Sequence, residues 1–136
     1  MRNRVDAAAA RIPPHWRGRK VYFEVAATPY AAGEASFVGE LLTQLGLGNV
    51  VPASMGPFPQ VNPEFVVRAQ PALLMATKNA VADMPSRPGW RTLPALQKHH
   101  VCGFAPAAWD ALVRPGPRLA DAAEAVADCL VALSLP

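Results

Sequence analysis

Apolar positions along this chain switch between a helical period and short continuous runs. Val5, Ala8, Ala9 and Ile12 recur at helical spacing, and Pro13-Pro14 closes that run because proline lacks the amide hydrogen and clashes with the preceding turn. A helix end is therefore expected up to about Arg11. Lys20 to Ala26, rich in β-branched and aromatic residues, predicts a buried strand, followed by a loop that carries Pro29 and Gly33. Phe37, Leu41, Leu42 and Leu45 then fall on one helical face, with Ser36 placed to cap the amino end and Gly46 to stop the carboxyl end. Asn49-Val50-Val51 predicts a short strand-like piece, and Pro52 to Pro59 a loop dense in proline and glycine. Asn62-Pro63-Glu64 supplies a cap, a proline at the first helical position and a first-turn acid, so a short helix is expected from there to about Gln70. Pro71 to Ala76 reads as the second buried strand, Asn79 to Arg87 as a polar connection, and Trp90, Leu93 and Leu96 as a short helix. Val101 to Phe104 is the third strand, and Leu119, Ala122, Ala123, Val126, Cys129, Leu130 and Leu133 form one face of a final helix from Arg118 to Leu133.

Helices alternating with continuously apolar strands predict an α/β fold, a three-layer α-β-α Rossmann-like lobe with a mainly parallel sheet and right-handed crossovers. Ligands of such sheets sit beyond the carboxyl ends of the strands, which selects segments 27–36, 76–84 and 105–117. The loop Pro52 to Val61 enters a helix, and the sequence leaves open which edge it borders.

With 136 residues, 51% of them hydrophobic, the chain is long enough for one domain with a real core. No apolar run approaches the roughly 18 to 20 residues of a membrane span. Ala7 to Ala10 is too short for a secretory apolar region and Arg11 follows at once, so no export signal is expected in this chain. The formal charge of +3 is mild and its bases are scattered. The one local cluster, Arg17-Gly18-Arg19-Lys20, precedes a strand as a solvated turn, and no nucleic-acid partner is expected. Cys102 falls in a predicted strand and Cys129 on the apolar stripe of the last helix. A disulfide is one reading. Layers that pack about 10 Å apart, against a bridging limit of about 7 Å between Cα atoms, favour two buried free thiols.

Candidate chemistry lies in three segments: Pro29-Tyr30-Ala31-Ala32-Gly33, Pro57-Phe58-Pro59-Gln60-Val61-Asn62-Pro63-Glu64, and Trp109-Asp110-Ala111-Leu112-Val113-Arg114-Pro115-Gly116-Pro117-Arg118. Phe58 is either tucked into the core or an aromatic wall for a flat ligand, and Tyr30 has the same two readings. Asp110 and Arg114, four apart, share a helical face, where they form a surface ion pair or meet a ligand. Glu64 suits the positive end of a helix dipole.

In their order along the chain, these segments resemble the carboxy-terminal lobe of ABC-importer periplasmic substrate-binding proteins, in the class with a rigid interlobe helix that delivers cobalamin, haem and ferric siderophores. The similarity is nearest to the cobalamin-binding members and runs from about Val5 to Ser134. It implies that residues 1–13 end the interlobe helix and residues 18–136 form the lobe, with the amino-terminal lobe and signal peptide absent. The chain is then a piece, excised or truncated, of an exported parent that works in the periplasm or at the cell surface. The resemblance further implies that Tyr30 and Phe58 stack on ligand, that Asp110 accepts from ligand amides, and that Arg114 donates to ligand oxygens. Glu64 is implied to pair with an arginine of the membrane permease. Two departures stand out. Phe58 replaces a common Trp, keeping the apolar face without the indole N–H, and Pro71-Ala72 replaces a common Pro-Asp. Trp90, after Pro88-Gly89, matches a family landmark and is by itself a core anchor, while Trp109 falls outside the matched pair.

Catalysis is not expected. His100 and Cys102 share a strand face, yet a mid-strand thiol beside Val101 and Phe104 is inert, and no phosphate-binding loop, nucleophile elbow or zinc-protease helix appears. Adjacent His99 and His100 point apart, so no metal site of protein side chains is expected. The expected function is one lobe of a substrate-binding component that imports cobalamin or a related metal chelate, haem or a ferric siderophore being the alternatives, with no built-in cofactor. Its expected partners are the chelate and the permease, with the bare cleft face open to homodimer contact. The other reading is a stand-alone α/β sensor or protein-interaction domain without a small-molecule ligand.

Overall fold

A computed structural model describes residues 2–114 and 116–134. Met1, Pro115, Leu135 and Pro136, which fall within the expected domain bounds and the third candidate segment, lie outside the described residues. In chain order the elements are α1 (Arg2–Arg11), β1 (Lys20–Ala26), β2 (Tyr30–Ala31), α2 (Phe37–Gln44), β3 (Gly48–Asn49), α3 (Pro63–Ala69), β4 (Leu73–Thr77), α4 (Lys78–Asp83), α5 (Pro94–Gln97), β5 (Val101–Phe104), α6 (Pro106–Val113) and α7 (Leu119–Leu133).

The caps expected from sequence form. Ser36 Oγ accepts from the Gly39 amide at 2.8 Å, and Asn62 Oδ1 accepts from the Glu64 amide at 2.9 Å. Because α3 has only seven residues, its first turn leans on that cap. Asn62→Ala is expected to lower unfolding free energy by about 1 kcal/mol in a urea melt; an unchanged midpoint would show that water replaces the cap at no cost. Against the packed side of α2 there is no room for a side chain at Gly39, since a Cβ there would overlap the carbonyl oxygen of Gly33.

β3, β1, β4 and β5 run parallel, in register at Lys20↔Gly48, Val21↔Leu73 and Leu74↔Val101, and β2 returns antiparallel along the far end of β1. Alternate strand residues feed two cores. Val21, Phe23, Leu73, Met75, Cys102 and Phe104 face α1, α2, α6 and α7. Tyr22, Leu74 and Ala76 face Val66, Met84, Trp90 and Leu93 on the other side. Burial on both faces is why these strands are apolar throughout, and the result is the three-layer α-β-α lobe with a mainly parallel sheet.

Two segments read as connections are helical. α4 occupies most of the polar connection, begun by Thr77 Oγ1 accepting from the Ala80 amide at 3.2 Å, and α6 occupies the loop after β5, begun by Pro106. The helix expected around Trp90 to Leu96 is split into a 3-10 turn at Trp90–Thr92 and α5, because Pro94 holds Leu93 extended at φ −61°, ψ 127°.

The expectation of free thiols is overturned: Cys102 and Cys129 form a disulfide, with Cα atoms 6.0 Å apart. The spacing of about 10 Å is measured to the helix axis, and an inward Cα stands about 2.3 Å nearer the sheet. Fully buried Ala122, Ala123 and Ala127 let α7 settle closer still.

Candidate functional site

Beyond Ala26 the chain turns back through β2, which pairs Glu24 with Ala31 and Ala26 with Tyr30. Segment 57–61 is laced to this return: the amides of Ala31 and Gly33 donate to the carbonyls of Pro59 and Pro57 at 3.0 and 2.9 Å, and the Val61 amide to Pro29 at 3.0 Å. The loop whose side the sequence left open thus borders the carboxyl edge of the sheet. The lacing fixes the backbone on both sides of Phe58, whose ring stays at the surface. Tyr30 is 39% exposed and Phe58 49%. Met55, on a 3-10 turn of the same loop, is 39% exposed; it had no sequence signal beyond lying in that loop.

At the far side of this edge, α6 runs from β5 back over β1. Trp109 stacks on Phe23 with ring centroids 5.3 Å apart and planes 8° from parallel, which makes it a structural half-buried residue. At the next residue, Asp110 Oδ1 accepts from Arg114 Nε, one turn on, at 3.0 Å. Arg118, a residue that sequence reading did not place in the site, adds a contact from Nη2 to Asp110 Oδ2 at 3.4 Å. The Arg114 hydrogen bond and charge, with a smaller contribution from Arg118, hold the Asp110 carboxyl below its usual range. All three side chains are reachable by solvent, so the cluster is an open polar surface with one net positive charge.

Between α6 and α4 lies an open pocket of about 350 Å³ lined by Glu24, Ala27, Asn79, Asp83, Arg87 and Trp109 among others. Its floor is a buried ion pair. Arg87 Nη1 and Nη2 donate to Glu24 Oε1 and Oε2 at 2.7 and 2.9 Å, and the Tyr22 hydroxyl donates to Oε1 at 2.8 Å. Burial and the Glu24 carboxylate push the Tyr22 hydroxyl above its ordinary range, so it stays a donor. A single acid inside the apolar run Val21-Tyr22-Phe23-Glu24-Val25 was the available clue to this floor.

Glu64 stands apart on the exposed first turn of α3. It borders an open, mostly apolar groove of about 590 Å³ with Pro63, Val67, Arg68, Pro88 and Gly89. Tyr30 and Phe58 thus share two laced segments, Asp110 and Arg114 share one turn at the end of α6, and Glu64 lines a separate groove. Among the described residues no group of three or more His, Cys, Asp or Glu side chains is arranged to hold a metal ion. Among them, too, no helix is long and apolar enough to cross a membrane.

The sequence signature of the periplasmic binding protein family matches residues 1–108, a stretch that ends just before Asp110. No curated protein sequence matches the chain. Three solved structures illustrate its fold. A possible iron-binding (periplasmic solute-binding) protein of Staphylococcus epidermidis superposes with a TM-score of 0.80 at 23% identity, over 95% of this chain and 51% of that one. The periplasmic vitamin B12 binding protein BtuF of Vibrio cholerae gives 0.79 at 24% identity, over 99% and 52%. The periplasmic heme-binding protein RhuT of Roseiflexus, in its apo form, gives 0.75 at 20% identity, over 98% and 54%. The chain spans about half the length of each.

Proposed function

The chain belongs to the periplasmic binding protein family, and from that premise we propose that it is the carboxy-terminal lobe of a substrate-binding protein that captures a metal chelate for an ABC importer. In this reading residues 1–13 end the interlobe helix and residues 18–136 form the lobe. The observation that carries it is the placement of exposed apolar surface: Tyr30, Met55 and Phe58 are the large hydrophobic side chains left exposed among the described residues, with Tyr30 and Phe58 on two laced segments at the carboxyl edge and Met55 on the loop that leads into the second. Exposed aromatic rings on a pinned backbone suit a broad, flat ligand. Asp110 and Arg114, across the same edge, offer an acceptor and donors for its peripheral amides or carboxylates.

The mechanism is capture without chemistry. No catalytic constellation is needed, since the ligand is held between two lobes and released to a permease. Cobalamin is the ligand we favour, with haem or a ferric siderophore as alternatives; the similar structures named for B12, iron and heme support the class without choosing among them. Glu64, exposed at a helix start beside an apolar groove, is the proposed contact to the permease. A periplasmic or cell-surface setting agrees with the Cys102–Cys129 disulfide, a bond that persists in oxidising compartments. A bare cleft face also offers a surface for a second copy of the chain.

An amide NMR titration of the chain with cobalamin, haem and a ferric siderophore tests the proposal. One lobe supplies roughly half the contacts, so dissociation constants in the micromolar to millimolar range are expected, with saturable shifts at Tyr30, Phe58 and Asp110 to Arg114. Phe58→Ala is expected to weaken the bound chelate about tenfold. No saturable shift with any of the three, from a folded sample, would sink the half-site and leave a protein-interaction lobe as the reading.

A further inference from the structure

The edge of the sheet opposite the cleft gathers positive charge from three separate segments. Arg19 stands just before β1, Lys98 just after α5 and His100 just before β5, and with Gln70 they line a pocket of about 260 Å³. Their backbones are fixed by the sheet itself: the Ala72 amide donates to the Lys20 carbonyl at 2.8 Å, and the Leu74 amide to the His100 carbonyl at 3.2 Å. The His100 ring meets Trp16 edge-on at 5.0 Å, and the Arg19 guanidinium lies 5.1 Å above the same Trp16 ring. Two of the four polar side chains are thus braced by one buried indole.

No carboxylate lines this pocket. The stretches of chain that carry its lining, residues 7–23, 65–82 and 84–109, contain no Asp or Glu. Of the ten acids in the chain, six are paired with other cations: Glu24 and Asp83 with Arg87, Asp110 with Arg114 and Arg118, Asp121 and Glu124 with Arg4, and Asp128 with Arg11. Arg19 and Lys98 form no ion pair among the described residues. Burial first, and then the neighbouring charges of Lys98, Arg19 and His15, lower the His100 pKa.

We propose that this pocket is a second binding site, for a phosphate-type oxyanion, on the amino edge of the sheet. Arg19 supplies a planar fork of donors, Lys98 a point charge, and Gln70 and His100 further N–H groups, a set that matches a tetrahedral oxyanion and has no use for a cation. The pocket, open to solvent and of about 260 Å³, has room for a phosphate group with a small substituent. The site does not depend on the cleft or on the family reading. Its anion comes either free in solution or as the headgroup of an anionic lipid.

Amide NMR titration of the whole chain with sodium pyrophosphate at low salt tests the free form, and co-sedimentation with phosphatidylcholine vesicles containing phosphatidylglycerol tests the lipid form. Pyrophosphate is expected to give saturable shifts at Arg19, Gln70, Lys98 and His100, weakened at least about tenfold in the Arg19→Gln/Lys98→Gln variant and within about twofold of the parent in Arg68→Gln/Arg91→Gln, which loses the same charge elsewhere. Vesicle binding without pyrophosphate binding, again lost only in the first variant, supports the site with a lipid headgroup as the source. Absence of both, or an equal loss in the two charge-matched variants, would overturn the proposal.

Discussion

Arg87→Ala is expected to lower the unfolding free energy of this chain by about 3 to 5 kcal/mol, the largest loss among the substitutions considered. Glu24 has 1% of its side chain exposed and Arg87 14%, so water does not reach the carboxylate to replace what the guanidinium gives. Arg87 contributes two short hydrogen bonds to Glu24, a longer contact to Asp83 at 3.4 Å, and a cation 4.6 Å over the Trp90 ring. The Glu24 hydrogen bonds, ahead of the cost of burial, raise the Arg87 pKa, so the guanidinium stays charged. Without Arg87, Glu24 retains the Tyr22 hydroxyl and is otherwise an uncompensated buried charge. Glu24→Gln/Arg87→Met, which removes both charges and keeps the volume, should therefore cost less than Arg87→Ala alone, against simple additivity. Chemical unfolding of the three proteins decides the matter. A loss below about 1 kcal/mol for Arg87→Ala would mean that the pair behaves as an exposed one and that water enters the pocket floor.

Loss of the Cys102–Cys129 bridge is the second large effect. The bridge spans 27 positions, and closing a loop of that length removes enough freedom from the unfolded chain to contribute about 3 to 4 kcal/mol. A domain of this size holds about 5 to 15 kcal/mol in total, so Cys102→Ala/Cys129→Ala should unfold at a distinctly lower denaturant midpoint. Reductant should move the parent protein to a similar midpoint and leave the variant unmoved. Identical midpoints for oxidised and reduced parent protein would show that α7 is held by packing alone.

What the sequence made legible was mostly local. Ser36 and Asn62 cap their helices through atoms two or three residues away, and a strand buried on both faces announces itself by composition. α4 gave no such signal, because Lys78 to Asp83 has no apolar stripe. Its position is set by contact with β5, where Gly103 lies so close that a Cβ would stand 3.2 Å from the Lys78 Cα. The Glu24–Arg87 pair joins residues 63 apart, and nothing in either neighbourhood names the other. At the candidate site, the proline flanks marked Phe58 as special, yet its outward direction depends on backbone bonds to residues 31 and 33, a tertiary fact. Arg118 was visible as the residue that opens α7, and only the turn of the chain after α6 brings it to Asp110. The cysteine pair failed for a different reason: a layer spacing drawn from average side chains does not hold where the helix face is alanine.

The ion pairs of α1 have a mechanical meaning. Arg4 grips Asp121 and Glu124 at 2.8 Å each, Arg11 grips Asp128 at 3.0 Å, and Val5 and Ala8 between them are buried in the same core as α7. Individually such surface pairs are weak, but spaced along one helix over a dry seam they make α1 a lever bolted to α7 at both ends. α7 is in turn welded to β5 by the disulfide, and β5 leads directly into α6 and Asp110. In the proposed reading, where α1 is the end of the interlobe helix, torque applied at its amino end passes through these joints to the polar side of the cleft edge, and the lobe is expected to swing as one piece with its handle.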